Sequence, residues 1–216
     1  MSKVIKKAEI FDQQVSEYEA WYDEYPHVFA SELQALRAGF RRVPAESTGI
    51  EIGLGTGRFS QVLGIREGVE PSEPMAARAR KRGIEVMKAK AERLPYGDLR
   101  FDFVLFVTIC HLDNVDEALR EAHRVLKPKG VLIIGFLDAE REVARAYMER
   151  RKESTFFRYA RFYTVSELSR HLSENGFRDF EYHQALFGGL EDIKSSELPE
   201  EGYGRGSFVV VSALKK

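Results

Sequence analysis

Apolar positions recur every three or four residues from Val15 to Arg42, through Tyr18, Trp21 and Tyr22 and then Val28, Leu33 and Leu36. That spacing predicts two helices, interrupted near Pro26. After Pro44 the pattern changes. TGIEIGLGTG reads as an apolar strand of about four residues that breaks into glycines, and RFSQVLG follows as a short helix. REGVEPS is a second short strand. SEPMAARARKRG is a helix with Ser72 as N-cap and Gly83 just past its end, and Ile84 to Lys88 makes a third strand. Phe101 to Ile109 is apolar at successive positions, as expected of a central parallel strand covered on both faces. The stripe Val115, Ala118, Leu119, Ala122, Val125 predicts a helix from Asn114 to Leu126, stopped by KPKG before the strand VLIIGFL. A helical stretch at 140–152, the aromatic run FFRYARFY, a capped helix from Thr164 to Asn175 and strands at Phe177 to Leu186 and Ser207 to Leu214 complete the chain.

Strands alternating with helices argue an open α/β sheet with right-handed crossovers, which binds ligands beyond the carboxyl ends of its strands. The loops at 53–58, 70–72, 91–95, 107–113 and 137–163 are therefore the candidate site, and 188–206 is expected to be a long, mobile connection. The 216 residues, 44% apolar, suit one globular domain. Lys and Arg number 33 against 34 Asp and Glu, a balance that gives no overall field toward nucleic acid or an anionic membrane. Cys110 is the single cysteine, which excludes an internal disulfide. No apolar run approaches the roughly 20 residues of a bilayer-spanning helix. The start MSKVIKKAEIFDQQ lacks the apolar core of a secretory signal, so the expected location is cytoplasmic.

Chemistry concentrates at Glu51, Gly53, Gly55 and Gly57, an ExGxGxG run between a strand and a helix, where bare backbone lets a ligand approach. A dinucleotide-binding GxGxxG would need a small residue at 58, where Arg58 stands. Glu51 is awkward beside a pyrophosphate and suits a ligand with an ammonium or sulfonium group. An NAD-dependent oxidoreductase on a similar sheet is the alternative.

Five motifs in order, IEIGLGTGRF, GVEPSEPMAARARKRG, KAKAERLPY, FDFVLFVTICHLDN and EALREAHRVLKPKGVLII, resemble the class I S-adenosylmethionine-dependent methyltransferases, in particular the small-molecule branch that includes the ubiquinone and menaquinone enzymes. The resemblance spans nearly the whole chain. It implies a Rossmann-like open sheet of seven strands, mostly parallel with the last strand antiparallel and helices on both faces. Residues 1–44 would form cap helices, 45–137 the cofactor-binding core, 138–163 an acceptor-pocket insertion, and 164–216 the closing helix and strands. The implied cofactor is S-adenosylmethionine. Gly53, Gly55 and Gly57 would lie under its methionine and ribose, and Glu51 would orient its ammonium group. Glu70 would hold both ribose hydroxyls, as a carboxylate can by accepting two hydrogen bonds in a fork. Pro71 and Ser72 would shape that turn, Met75 would pack on adenine, Ala91 and Glu92 would read it and Leu94 would cover it. Phe106, Val107 and Thr108 would end the central strand beneath the methionine. A protein that binds the cofactor without catalysis is a further alternative.

Methyl transfer is an in-line displacement from a sulfonium that already carries its leaving group, so a base is optional. His111, whose ordinary pKa is near 6.5, is the first candidate base and Asp113 the second, although an Asp just before a helix also serves as a cap. The segment YEAWYDEY resembles the family's closing helix, placing Tyr18, Trp21 and Tyr22 at the mouth, and Phe156, Phe157, Tyr159, Phe162 and Tyr163 fall where the acceptor pocket is built. Arg158 and Arg161 would attract an anionic acceptor. VTICHLDN stands where an NPPY-type segment would mark methylation of adenine or glutamine nitrogen, so the expected acceptor is a small molecule with an oxygen, nitrogen or carbon nucleophile. No HExxH or CxxC occurs, and the five histidines show no ligand spacing, so no metal is expected.

Overall fold

The computed structural model describes residues 10–216. The helices α1 (Val15–Glu24) and α2 (Pro26–Gly39) lie before the sheet, divided at Pro26 as the pattern predicts. The strands β1 (Gly49–Ile52), β2 (Glu67–Val69), β3 (Glu85–Met87), β4 (Phe101–Val107) and β5 (Leu126–Leu137) run parallel. The helices between them are α3 (Arg58–Leu63), α4 (Glu73–Lys81) and α5 (Val115–Val125), and α6 (Glu142–Glu149) and α7 (Val165–Glu174) follow. The sheet closes with β6 (Phe177–Ala185), β7 (Glu200–Glu201) and β8 (Phe208–Lys215), in the order β3-β2-β1-β4-β5-β8-β6-β7. β8 inserts antiparallel between β5 and β6. The expected Rossmann-like architecture is present with eight strands rather than seven, the addition being the two-residue β7.

β4 lies at the sheet centre and feeds both layers. Val104 and Phe106 join the core beneath α5 and α7, and Phe103 and Leu105 join the core beneath α1, α2 and α6. Caps set the helix starts. The Asn114 side chain accepts from the Asp116 and Glu117 N–H groups, and Thr164 and Glu167 form a reciprocal capping box. His171 Nδ1 lies 2.8 Å from Asp116 Oδ1 and ties α7 to α5.

Three local expectations are revised. α5 ends at Val125, and KPKG belongs to β5, where Leu126 pairs with Phe101 and Val131 already with Phe103. The extra residues loop out of the ladder with Lys129 at a φ of 64°. The 140–152 helix is shorter, Glu142–Glu149, because 151–153 turn away from it. The 188–206 connection is fastened rather than loose. Glu197 accepts from the Leu186 N–H at 2.7 Å and donates its own N–H to Ser31 Oγ at 2.8 Å, while Tyr25 donates to Glu191 at 2.6 Å.

Candidate active site

A cavity of about 250 Å³ opens beyond the carboxyl ends of β1, β2 and β4, where an open α/β sheet binds its ligands. Its floor is the turn after β1. Gly53 sits at a φ of +71°, and a side chain added there would meet nothing within 4 Å, so this backbone faces open space. Gly55 faces the same space with the Tyr18 hydroxyl above it. Gly57 differs from the expectation. A Cβ there would lie 2.5 Å from Ile84 Cδ1, so this glycine brings α3 close to its neighbours and does not line the cavity.

Glu70, just past the end of β2, is buried and stands at the cavity wall. One carboxylate oxygen accepts the Gly55 N–H at 2.8 Å and the other the Ser72 N–H at 2.9 Å, so the carboxylate joins the glycine turn to the start of α4 and each oxygen keeps a second lone pair. Burial, against the pull of those two bonds, raises its pKa to about 7. Glu51 sits behind the turn rather than in the cavity lining. It is fully buried, accepts the Ser60 hydroxyl, and burial lifts its pKa to about 8. Pro71, Met75, Ala91, Val107 and Thr108 line the cavity. Phe106 and Leu94 lie in the core, Ser72 caps α4, and the Leu94 N–H donates to Glu121 at 2.6 Å.

Glu92 reaches the lining, and its Oε1 accepts the Asp113 and Asn114 N–H groups at 2.8 and 3.1 Å, which holds the loop that carries His111. Asp113 pairs with Lys90 at 3.0 Å, and Asn114 rather than Asp113 caps α5. His111 stacks on Phe157 at 5.8 Å and meets Phe11 edge-on at 5.0 Å. Tyr18, Trp21, Tyr22, Phe156 and Phe157 line the upper wall. Phe162 stands outside it, parallel to Tyr147, and Tyr159 is outside as well. Tyr163 is buried against His171. Arg158 donates to the Lys152 carbonyl and Arg161 lies over the Tyr163 ring, so neither arginine lines the cavity.

Three features escape the sequence reading. Arg58 fastens α1 over the glycine turn through Glu19 at 2.9 Å and Asp23 at 3.1 Å, with Arg82 and Thr56 also donating to Glu19. Burial alone would raise the Glu19 pKa, but these donors bring it down to about 2. Glu32 on α2 and Tyr147 on α6 also line the cavity. The signal for Glu32 is a carboxylate four residues from Val28 and four from Leu36, on the buried stripe of its helix. Asp116, His171 and Glu174, despite their irregular spacing in sequence, each offer a ligand atom within 4.8 Å of one another, on the other side of the sheet.

The methyltransferase domain family matches residues 50–134, from β1 into β5. A Thermotoga maritima crystal structure described as a SAM-dependent methyltransferase, possible histamine N-methyltransferase, is 44% identical, covers 96% of this chain and 99% of its own, and superposes with a TM-score of 0.91. The chain belongs to the S-adenosylmethionine-dependent methyltransferases. An uncharacterised protein of Methanocaldococcus jannaschii is 39% identical over 207 residues, 95% of this chain and 98% of that protein. The ubiquinone/menaquinone biosynthesis C-methyltransferase of Pseudomonas putida is 31% identical over 155 residues, 61% of this chain and 58% of its own. This methyltransferase therefore uses S-adenosylmethionine, and the dinucleotide alternative falls away. Its cavity fits that cofactor on chemical grounds: open glycine backbone at one end, a two-oxygen acceptor in Glu70, apolar cover from Met75, and Lys90, the cation in the lining, already paired with Asp113.

Proposed function

We propose that this methyltransferase acts on a small-molecule acceptor held between α1, α6 and the aromatic segment at 154–163. The observation that carries the reading is the continuity of the cavity. It runs from the glycine turn and Glu70, past Tyr18 and His111, to a wall of Trp21, Tyr22, Tyr147 and Phe157, with room for a compact organic molecule under the helices.

In this reading Gly53, Gly55, Glu70, Pro71, Met75, Ala91, Glu92, Val107 and Thr108 hold S-adenosylmethionine, with Glu70 accepting from the ribose diol. The cofactor brings the methyl group on a sulfonium, so the protein's work is orientation and exclusion of water. The rings of α1 and Phe156 close the mouth. Tyr147 and Phe157 fix the acceptor plane. His111, clamped between Phe11 and Phe157, is positioned to take a proton from an acceptor that must lose one. Lys90, Asp113 and Glu92 hold the loop that presents it.

Titration calorimetry with S-adenosylmethionine, its demethylated product and NADH tests the cofactor half of the reading. Binding of the first two and none of NADH is expected. Demethylated product released during incubation with small acceptors, and not with protein or RNA acceptors, is the expected result for the other half. The reverse preference overturns it.

A further inference from the structure

Glu32 is a carboxylic acid in the cavity lining that the cofactor reading leaves without a role. It lies mid-helix in α2 on the buried stripe, is 8% exposed and lines the cavity. Among the described residues no donor hydrogen-bonds to its carboxyl and no cation forms an ion pair with it. Tyr22 from α1 and Tyr147 from α6 are the titratable groups within its electrostatic reach, and both are neutral phenols whose pKa burial raises further. Burial raises the Glu32 pKa to about 8, with no opposing influence. A buried carboxyl without a partner is costly, and a fold keeps one where a ligand supplies the partner.

The surroundings define that ligand. Trp21 packs against Tyr22 at 5.1 Å between ring centroids, Tyr147 lies 4.0 Å from Phe157, and all four rings line the same cavity as Glu32. Aromatic faces attract a cation and give nothing comparable to an anion. A carboxyl in an aromatic-walled cavity where, among the described residues, the lining holds one lysine and no arginine, and that lysine, Lys90, is already paired with Asp113, is a receptor for an organic ammonium ion.

We propose that Glu32 receives the cationic nitrogen of the methyl acceptor, so that the acceptor is a small amine whose apolar body lies against Trp21, Tyr22, Tyr147 and Phe157. This rests on the methyltransferase reading above. Glu32 acts as a specificity-determining residue, and the cofactor is held elsewhere, at the glycine turn and Glu70.

The test uses the full chain loaded with the demethylated cofactor product. Binding of 2-phenylethylamine, of its neutral counterpart 2-phenylethanol, and of a panel of alkyl, aryl and heteroaryl amines is measured by calorimetry for the wild type and E32Q. Amines are expected to bind the wild type at least tenfold more tightly than neutral isosteres. E32Q should erase that preference and leave affinity for the demethylated product within twofold. The wild type should also release close to one proton per amine bound at pH 7, read from buffers of different ionisation enthalpy, and E32Q should release none. A purely structural carboxyl would not produce that signal. Equal binding of amine and alcohol, failure of every amine to bind, or an unchanged E32Q overturns the proposal. So does a tenfold loss of product affinity in E32Q, which would assign the carboxyl to the cofactor's ammonium group. Failure of the wild type to bind either S-adenosylmethionine or its product would instead sink the reading beneath it.

Discussion

The bonds that place Glu70 use only half of its accepting capacity. Both oxygens hold the turn in shape, and each keeps a lone pair that, in the proposed function, accepts from the cofactor's diol. Replacing it with alanine removes charge-assisted bonds and leaves the Gly55 and Ser72 N–H groups without their acceptor. Glu70→Ala is expected to weaken S-adenosylmethionine binding by about 1.5 to 3 kcal/mol in calorimetry, and unchanged affinity would remove Glu70 from the cofactor site. His111 calls for a different comparison. Sandwiched between Phe11 and Phe157, it should give, as His111→Ala, a fall in turnover larger than its loss of cofactor affinity; equal losses would make it a wall. Residues such as Gly53, Glu70 and Met75 are legible from sequence because their neighbours in the chain position them: a strand ends and the side chain is where the sheet edge puts it. Glu32 and Tyr147 are not, because they reach the cavity from helices whose packing is decided by contacts far away in the sequence. Gly57 shows the opposite error, a residue inside the motif whose role is to let helices pack.

At the scale of elements, α1 is held by polar bonds as well as by its rings. Arg58, at the position that breaks the dinucleotide pattern, grips Glu19 and Asp23 and stands 5.0 Å over the Tyr22 ring. Arg58→Ala should lower stability by about 2 kcal/mol, the scale of a lost hydrogen bond to a charged group, and should speed amide exchange in 15–24 more than in β4 or β5. Uniform acceleration would mean that α1 is not separately tethered there. Element identities are legible where the apolar period is strong, as in α5 and β4, and where a cap residue marks the start, as at Ser72 and Thr164. They fail where tertiary pairing overrides local chemistry. KPKG reads as a helix stop and turn, yet the ladder to β4 absorbs it as a bulged strand. The 188–206 segment reads as loose because Glu191 and Glu197 look like solvated charges, yet Tyr25 donates to the Glu191 carboxylate, the Leu186 N–H donates to that of Glu197, and Ser31, from another part of the chain, accepts the Glu197 backbone N–H.

For the whole molecule the sum of titrations matters. Glu32 and Glu51, at about 8, and Glu70, at about 7, hold protons in the folded state that the unfolded chain releases near the ordinary value of 4.5. Their contribution to stability therefore falls as pH rises through that interval. His123 and His183, pushed below 6.5 by burial, act in the opposite sense, but their contribution is complete once the unfolded histidines have lost their protons. Between about pH 7 and 8 the three carboxyls dominate, and the ligand-free protein should melt at progressively lower temperature as pH rises across that range. E32Q should flatten the slope, and a melting temperature that climbs with pH there would show that these carboxyls are solvated. The sheet itself is legible at this scale, since alternating strands and helices permit few other arrangements, whereas the extra strand β7 rests on two residues, too few for any pattern.

The insertion of β8 between β5 and β6 also sets an order of events during synthesis. Val131–Leu137 waits for Phe208–Leu214, so a nascent chain that has made β6 but not β8 leaves the apolar β5 edge unsatisfied and open to other chains. Until β8 emerges, the half-built sheet is a surface for chaperones to shield, and chains whose translation stops before Phe208 should accumulate as aggregates.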